Sequence, residues 1–146
     1  MIEAVIFTGV QGSGKTTFYK ENFFTTHLRI SLDLLRTRHR ESKFLTTCFE
    51  TKTSFVVDNT NIDPQQRLRY IQPAIKYRFR LISYFFDCKL DDALLRNSRR
   101  TAKENIPAGG VIATYRKLVV PKFEEGFDEL YRVTINENSL FSVEKT

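Results

Sequence analysis

The sequence predicts an α/β fold, with a central parallel sheet carrying helices on both faces. Three observations predict it. Short apolar runs alternate with helix-like segments along the whole chain, the pattern of parallel strands joined by crossover helices. The first run, Ala4-Val5-Ile6-Phe7, is continuous rather than alternating, as expected of a strand covered on both faces. It leads directly into Gly9-Val10-Gln11-Gly12-Ser13-Gly14-Lys15-Thr16, a complete G-x-x-x-x-G-K-[ST] phosphate-binding loop in a strand-loop-helix setting.

The remaining elements follow in order. After the loop, Thr17-Phe18-Tyr19-Lys20 continues as a first helix through Phe23. Leu28-Arg29-Ile30 is a short second strand, and Ser31 is placed to cap a helix over 32–38. Phe55-Val56-Val57 makes a third strand that ends in the carboxylate Asp58. Asp63-Pro64 sets a capping residue before a proline at the first helical position, which starts a helix over 64–77. A fourth strand spans 81–86, and a helix over 90–99 opens with Asp91 and Asp92 at its positive end. Residues 101–107 read as a mobile connection and 111–118 as a further helix. The tail pairs 130–135 with 140–143 as a hairpin turning at Asn136-Glu137-Asn138.

Bulk properties bound the function. A length of 146 residues, 41% apolar, suits one compact domain spanning 1–146 with a full core. No run approaches membrane-spanning length and the start lacks the pattern of a signal peptide, so a cytoplasmic address is expected, with no membrane partner. Cys48 and Cys88 match no metal or redox spacing and read as free thiols. His27 and His39 are isolated, so no metal site of side chains alone is expected. The net charge of +6 suits a phosphate-handling protein, and the arginines concentrate in 29–40 and 96–100.

In open parallel sheets ligands bind at the carboxyl ends of strands, where residues 8–15, 31–36 and 58–61 should meet in one cleft. The backbone of Gly9, Gly12, Ser13 and Gly14 would cradle a polyphosphate, helped by the helix start at Lys15, Thr16 and Thr17. Lys15 would reach the terminal phosphates, and the Thr16 hydroxyl would help hold Mg²⁺. Asp33 and Arg36, three apart on a helix, share a face: the carboxylate can take the proton of an attacking hydroxyl and the guanidinium can fork onto a phosphate. An intrahelical surface ion pair satisfies the same spacing. Asp58, at a strand end beside the loop, suits Mg²⁺ directly or through water, its alternative being a turn cap. Arg96, Arg99 and Arg100 close a helix before a loop, as in a lid over about 96–107 whose arginines meet transferring phosphate; the alternative is compensation of the helix dipole.

Together these motifs resemble the polynucleotide 5′-hydroxyl kinase family of P-loop phosphotransferases, in particular the kinase domain of polynucleotide kinase-phosphatases. The resemblance rests on Gly9 to Thr16, Asp33-x-x-Arg36, Asp58-Asn59-Thr60-Asn61, Leu95-Arg96-Asn97-Ser98-Arg99-Arg100, Ile106-Pro107, Tyr115-Arg116, and the stretch from Pro121 to Glu125-Gly126-Phe127. It implies a three-layer P-loop kinase fold like that of adenylate kinase, with ATP and Mg²⁺ as cofactors. Lys15 and Thr16 would bind both. Asp33 would be the general base, and Arg36, with Asp58 and Asn61, would serve the acceptor. Arg96 and Arg100 would act from the lid. The implied partners are 5′-hydroxyl ends of RNA or DNA, with room for a separate phosphatase or ligase. One departure stands out: 37–53, with Arg38, Arg40 and Lys43, is shorter than the helical segment the family usually carries there. A small-molecule kinase or an NTP-binding module would share the loop and differ in the acceptor pocket. Phe123 and Phe127 are candidates for a nucleoside pocket or for the core.

Overall fold

In the computed structural model, which describes residues 1–100 and 105–146, six strands form one sheet in the order β2-β3-β1-β4-β5-β6. The strands are β1 (Glu3–Thr8), β2 (Leu28–Ile30), β3 (Phe55–Val57), β4 (Arg80–Phe86), β5 (Glu129–Ile135) and β6 (Phe141–Lys145). The first five are parallel; β6 closes the edge antiparallel to β5, with Val133 opposite Val143. This is the α/β P-loop kinase fold, with the expected hairpin as its last pair.

Strand β1 lies at the centre, pairing Ile6 with Val57 on one side and with Ser83 on the other. Its side chains alternate between two cores, the period of two that an apolar strand presents to both faces. Ala4 and Ile6 join Phe55, Val57 and Leu81 beneath Leu45, Cys48 and Phe49 of α3 (Arg38–Thr51) and Tyr70, Ile71 and Ala74 of α4 (Pro64–Lys76). Val5 and Phe7 join Val56, Ile82 and Phe86 against Phe18 and Tyr19 of α1 (Lys15–Asn22). Phe7 and Phe86 meet edge to face at 4.9 Å between ring centres, an arrangement aromatic pairs prefer.

One expectation about 32–53 is corrected. The helix predicted over 32–38 stops after one turn, α2 (Leu32–Leu35), because Arg36 takes φ 76° and ψ −40°. The Thr37 N–H donates to Leu35 O at 3.0 Å, closing a γ-turn of the positive-φ kind on Arg36. Ser31 stands at the N-cap position, yet its hydroxyl has no partner and Asn59 Oδ1 accepts from the Leu32 N–H instead, at 2.9 Å. The segment after Arg36 then forms α3, a 14-residue helix. Its signals are in the sequence: Thr37 caps it by accepting from Arg40 N, and Glu41, Leu45, Cys48 and Phe49 repeat at helical spacing on its buried side.

The helix expected over 64–77 ends at Lys76, with Asp63 capping Gln66 N at 2.8 Å. Beyond β4 come α5 (Leu90–Ser98) and α6 (Ala108–Lys117), then a 3-10 turn, Phe123–Glu125, that periodicity did not reveal. Residues 101–104 of the expected lid and mobile connection lie outside the described residues. Among the described residues, no helix is long and apolar enough to cross a membrane.

Candidate active site

The phosphate loop is shaped by close approach. Gly12 has φ +79° and Gly14 φ +99°, a region that favours glycine, and a Cβ on Gly12 would run into the Ala93 carbonyl of α5. The Gly9 N–H donates to Thr60 O at 3.0 Å, tying the loop to the end of β3. Ser13 is buried with its N–H donating to Val10 O at 3.3 Å, and α1 begins at Lys15, where a helix start favours an anion. Thr17, in the first turn of α1, is exposed.

Lys15 curls over its own loop, Nζ donating to Gly9 O at 2.9 Å and Val10 O at 2.8 Å. Desolvation lowers this ammonium to about 8, Asp58 and Asp33 pull it upward, and Arg100 adds to the lowering. The ends of β1, β2 and β3 are joined by hydrogen bonds, Thr16 Oγ1 donating to Asp58 Oδ2 at 2.9 Å, Leu32 N to Asn59 Oδ1 at 2.9 Å and Gly9 N to Thr60 O at 3.0 Å. Arg96, by contrast, donates Nη1 to Cys88 Sγ at 3.3 Å. Between the two arginines, buried Asn97 donates to Ile106 O at 2.6 Å and accepts from Ile106 N at 3.2 Å, holding the far side of the 101–104 segment to α5.

Asp33 and Arg36 are both exposed, and no ion pair joins them. The shared helical face expected of them is absent, because α2 ends before Arg36. They lie instead on either side of a tight corner, where Arg36 is held in a backbone conformation costing on the order of 1–3 kcal/mol. The corner is anchored by Asn59, which accepts from Leu32 N and donates Nδ2 to Glu41 Oε2 at 3.0 Å.

Asp58 is buried at 4% exposure, and its Oδ2 accepts from Thr16 Oγ1 at 2.9 Å. Hard oxygen donors in this arrangement fit Mg²⁺, which keeps several waters and takes few protein ligands. Among the described residues no group of three or more His, Cys, Asp and Glu side chains gathers, and Thr16 and Asp58 would be the protein's share of such a site. Asn61 corrects an expectation. Its Nδ2 donates to Phe7 O at 2.8 Å and it is 3% exposed, so its amide braces the end of β1 rather than facing an acceptor. Phe127 belongs to the core, whereas Phe123 is exposed.

Sequence reasoning missed Arg29 as a site residue. Its Nε donates to Asp58 Oδ2 at 2.9 Å and its Nη2 to Thr16 Oγ1 at 3.3 Å. The signal was a charge in the middle of a short strand, between Leu28 and Ile30, which needs a buried partner there. Parallel pairing sets Arg29 beside Val56, two residues before Asp58.

No protein-family model matches the chain. Solved structures resemble its fold. AvrRxo1-ORF1 in complex with AvrRxo1-ORF2, with sulphate ions, aligns over 99% of this chain at a TM-score of 0.76 and 13% identity. The chain spans only 60% of that protein's length. Chaetomium thermophilum Kti12 in complex with ADP-AlF3 aligns at a TM-score of 0.69 and 14% identity, covering 93% of this chain and 92% of Kti12. The Mycobacterium tuberculosis APS kinase CysC, in complex with AMPPNP and APS, aligns at 0.59 and 18% identity, covering 92% of this chain and 89% of its own.

Proposed function

We propose that the chain is an ATP-dependent kinase that phosphorylates 5′-hydroxyl ends of RNA or DNA. The observation that carries this reading is a complete phosphate loop after β1 whose Thr16 bonds Asp58 after β3, with Asp33 following β2, all at the carboxyl ends of adjacent parallel strands. Support for a nucleoside triphosphate comes from the loop itself and from fold relatives such as Kti12 with ADP-AlF3 and CysC with AMPPNP. The motif set shared with polynucleotide 5′-hydroxyl kinases supports the acceptor.

In this reading the loop N–H groups and Lys15 hold the β- and γ-phosphates of ATP. The acceptor's 5′-oxygen attacks the γ-phosphorus, its proton passes to the Asp33 carboxylate, and the bond from γ-phosphorus to the β–γ bridging oxygen breaks to release ADP. Arg36 binds the phosphate on the 3′ side of the acceptor nucleotide. Arg100, beside Lys15, and Arg96, once turned from Cys88, neutralise charge on the transferring group from the lid. Thr16 and Asp58 would hold Mg²⁺, which would supply charge neutralisation on the donor phosphates. The setting is cytoplasmic, where a separate phosphatase or ligase would act on the same ends.

The test is transfer of label from γ-labelled ATP with Mg²⁺ to a panel: 5′-hydroxyl RNA, 5′-hydroxyl DNA, and a set of hydroxylated metabolites. Label on an oligonucleotide, lost in Lys15→Ala and Asp33→Ala, is the expected result. Label only on a metabolite would make this a small-molecule kinase, and label only in inorganic phosphate would make it an NTPase.

A further inference from the structure

Arg29 occupies the corner where the proposed donor site would place its metal. The guanidinium reaches from the sheet rather than from the phosphate loop and bridges the Asp58 carboxylate, 2.9 Å from Nε, and the Thr16 hydroxyl, 3.3 Å from Nη2. Oδ2 of Asp58 thus accepts from Arg29 and Thr16 together, which takes up the lone pairs it offers to this side. The Asp58 side chain is 2% exposed and that of Arg29 24%, so the pair is poorly screened by solvent.

A guanidinium stays charged at every physiological pH, so the carboxylate is neutralised permanently by a residue of the fold. The Lys15 ammonium, donating to Gly9 O and Val10 O of the same loop, adds a second positive centre. A divalent cation approaching this corner therefore meets no net negative charge. The phosphates of a nucleotide would bring the missing negative charge with them.

We propose that Arg29 is a resident cation that positions Asp58 and Thr16 in place of a metal, so that the site takes up divalent metal only together with a nucleotide. This rests on the assignment of Thr16 and Asp58 to the metal side and is independent of the acceptor. It makes Arg29 a positioning residue whose charge sets an order of arrival. Metal enters as a metal–nucleotide complex, and the nucleotide-free protein does not sequester it.

The experiment uses Mn²⁺ as the probe, read by loss of the free-ion electron paramagnetic resonance signal on the full chain. Without nucleotide, the wild-type protein should leave the Mn²⁺ signal undiminished; with a non-hydrolysable ATP analogue, one Mn²⁺ per chain should disappear from it. Arg29→Gln should bind Mn²⁺ without nucleotide at least about tenfold more tightly than wild type, well within the reach of one unit charge at short range. Arg29→Lys keeps the charge and should show no gain, and adding Asp58→Asn to Arg29→Gln should erase it. Equal Mn²⁺ binding by Arg29→Gln and wild type would overturn the proposal. So would Mn²⁺ uptake by the nucleotide-free wild type as tight as with the analogue, a comparison that needs no variant to fold. Neither readout involves phosphoryl transfer, so an inactive acceptor panel leaves this test intact.

Discussion

The pairs Arg67–Glu125 and Arg29–Asp58 both hold a mostly buried carboxylate, and they are built differently. Arg67, fully buried, forks onto both oxygens of Glu125 at 2.7 and 2.9 Å and spends Nη1 on Asn61 O and Val119 O. Glu125 Oε2 also accepts from Lys122 N, so these bonds tie α4, the segment after β3 and the 119–125 segment together. Arg29 instead meets Asp58 through a single oxygen, shares it with Thr16, and keeps part of its side chain in solvent. The first pair engages both carboxylate oxygens and four guanidinium N–H groups, and therefore fixes geometry. The second engages a single carboxylate oxygen beside the phosphate loop, where a bound ligand can compete for it.

The sharpest way to break this contrast is to remove each arginine and compare stabilities by urea or thermal unfolding. Arg67→Ala leaves a buried carboxylate and two carbonyls without their donor and should cost about 3–5 kcal/mol. Arg29→Gln leaves Asp58 with Thr16 and with Lys15 nearby, and should cost about 1–2 kcal/mol. Equal losses would mean that Arg29 is scaffold too. The pairs would then differ only in place.

Arg36, proposed to bind the acceptor, is held at a local backbone cost. Arg36→Gly suits the positive φ, so stability should stay level or rise by up to about 1 kcal/mol. The acceptor KM should rise at least about tenfold while the ATP KM holds. A large stability loss would show that the corner depends on the side chain, and equal effects on both substrates would remove the acceptor role.

A smaller effect follows from Lys15, lowered by burial to about 8 from 10.5. Its charged form is disfavoured in the fold, so the penalty is complete below the folded value. Between about 8 and 10.5 the unfolded chain binds more protons, and the nucleotide-free protein gains stability as pH rises through that window. Nucleotide phosphates favour the charged ammonium, so binding should take up protons: about half a proton near pH 8 and almost none near pH 6.5. Calorimetry in buffers of different ionisation enthalpy reads this number directly. Proton release on binding, or no pH dependence, would contradict the burial-lowered ammonium.

Much of this was legible in the chain itself because local signals were strong. The continuous run Ala4-Val5-Ile6-Phe7 and the glycines of the loop announce a buried strand and a phosphate cradle, and Asp63-Pro64 marks the start of α4 within a residue. What escaped depended on tertiary partners. The break at Arg36 arises because Asn59 holds the start of α2 while Thr37 recaps the chain, a competition that spacing between Asp33 and Arg36 does not encode. The pairing of Arg29 with Asp58, and of Arg67 with Glu125 58 positions away, becomes visible only once strands and turns are brought together. Asn61 looked like a substrate ligand because it stands in the Asp-Asn-Thr-Asn motif, and its inward turn toward Phe7 follows from a backbone φ of 44°.

The central claim, that this loop delivers phosphate to a hydroxyl beside Asp33, is tested most directly by locating the transferred phosphate. A 5′-hydroxyl oligonucleotide is incubated with γ-labelled ATP and Mg²⁺, then digested to 5′-mononucleotides. The account predicts label in the 5′-terminal mononucleotide alone, and none with Asp33→Asn or Lys15→Ala. Label confined to inorganic phosphate, or undiminished transfer by Asp33→Asn, would contradict it.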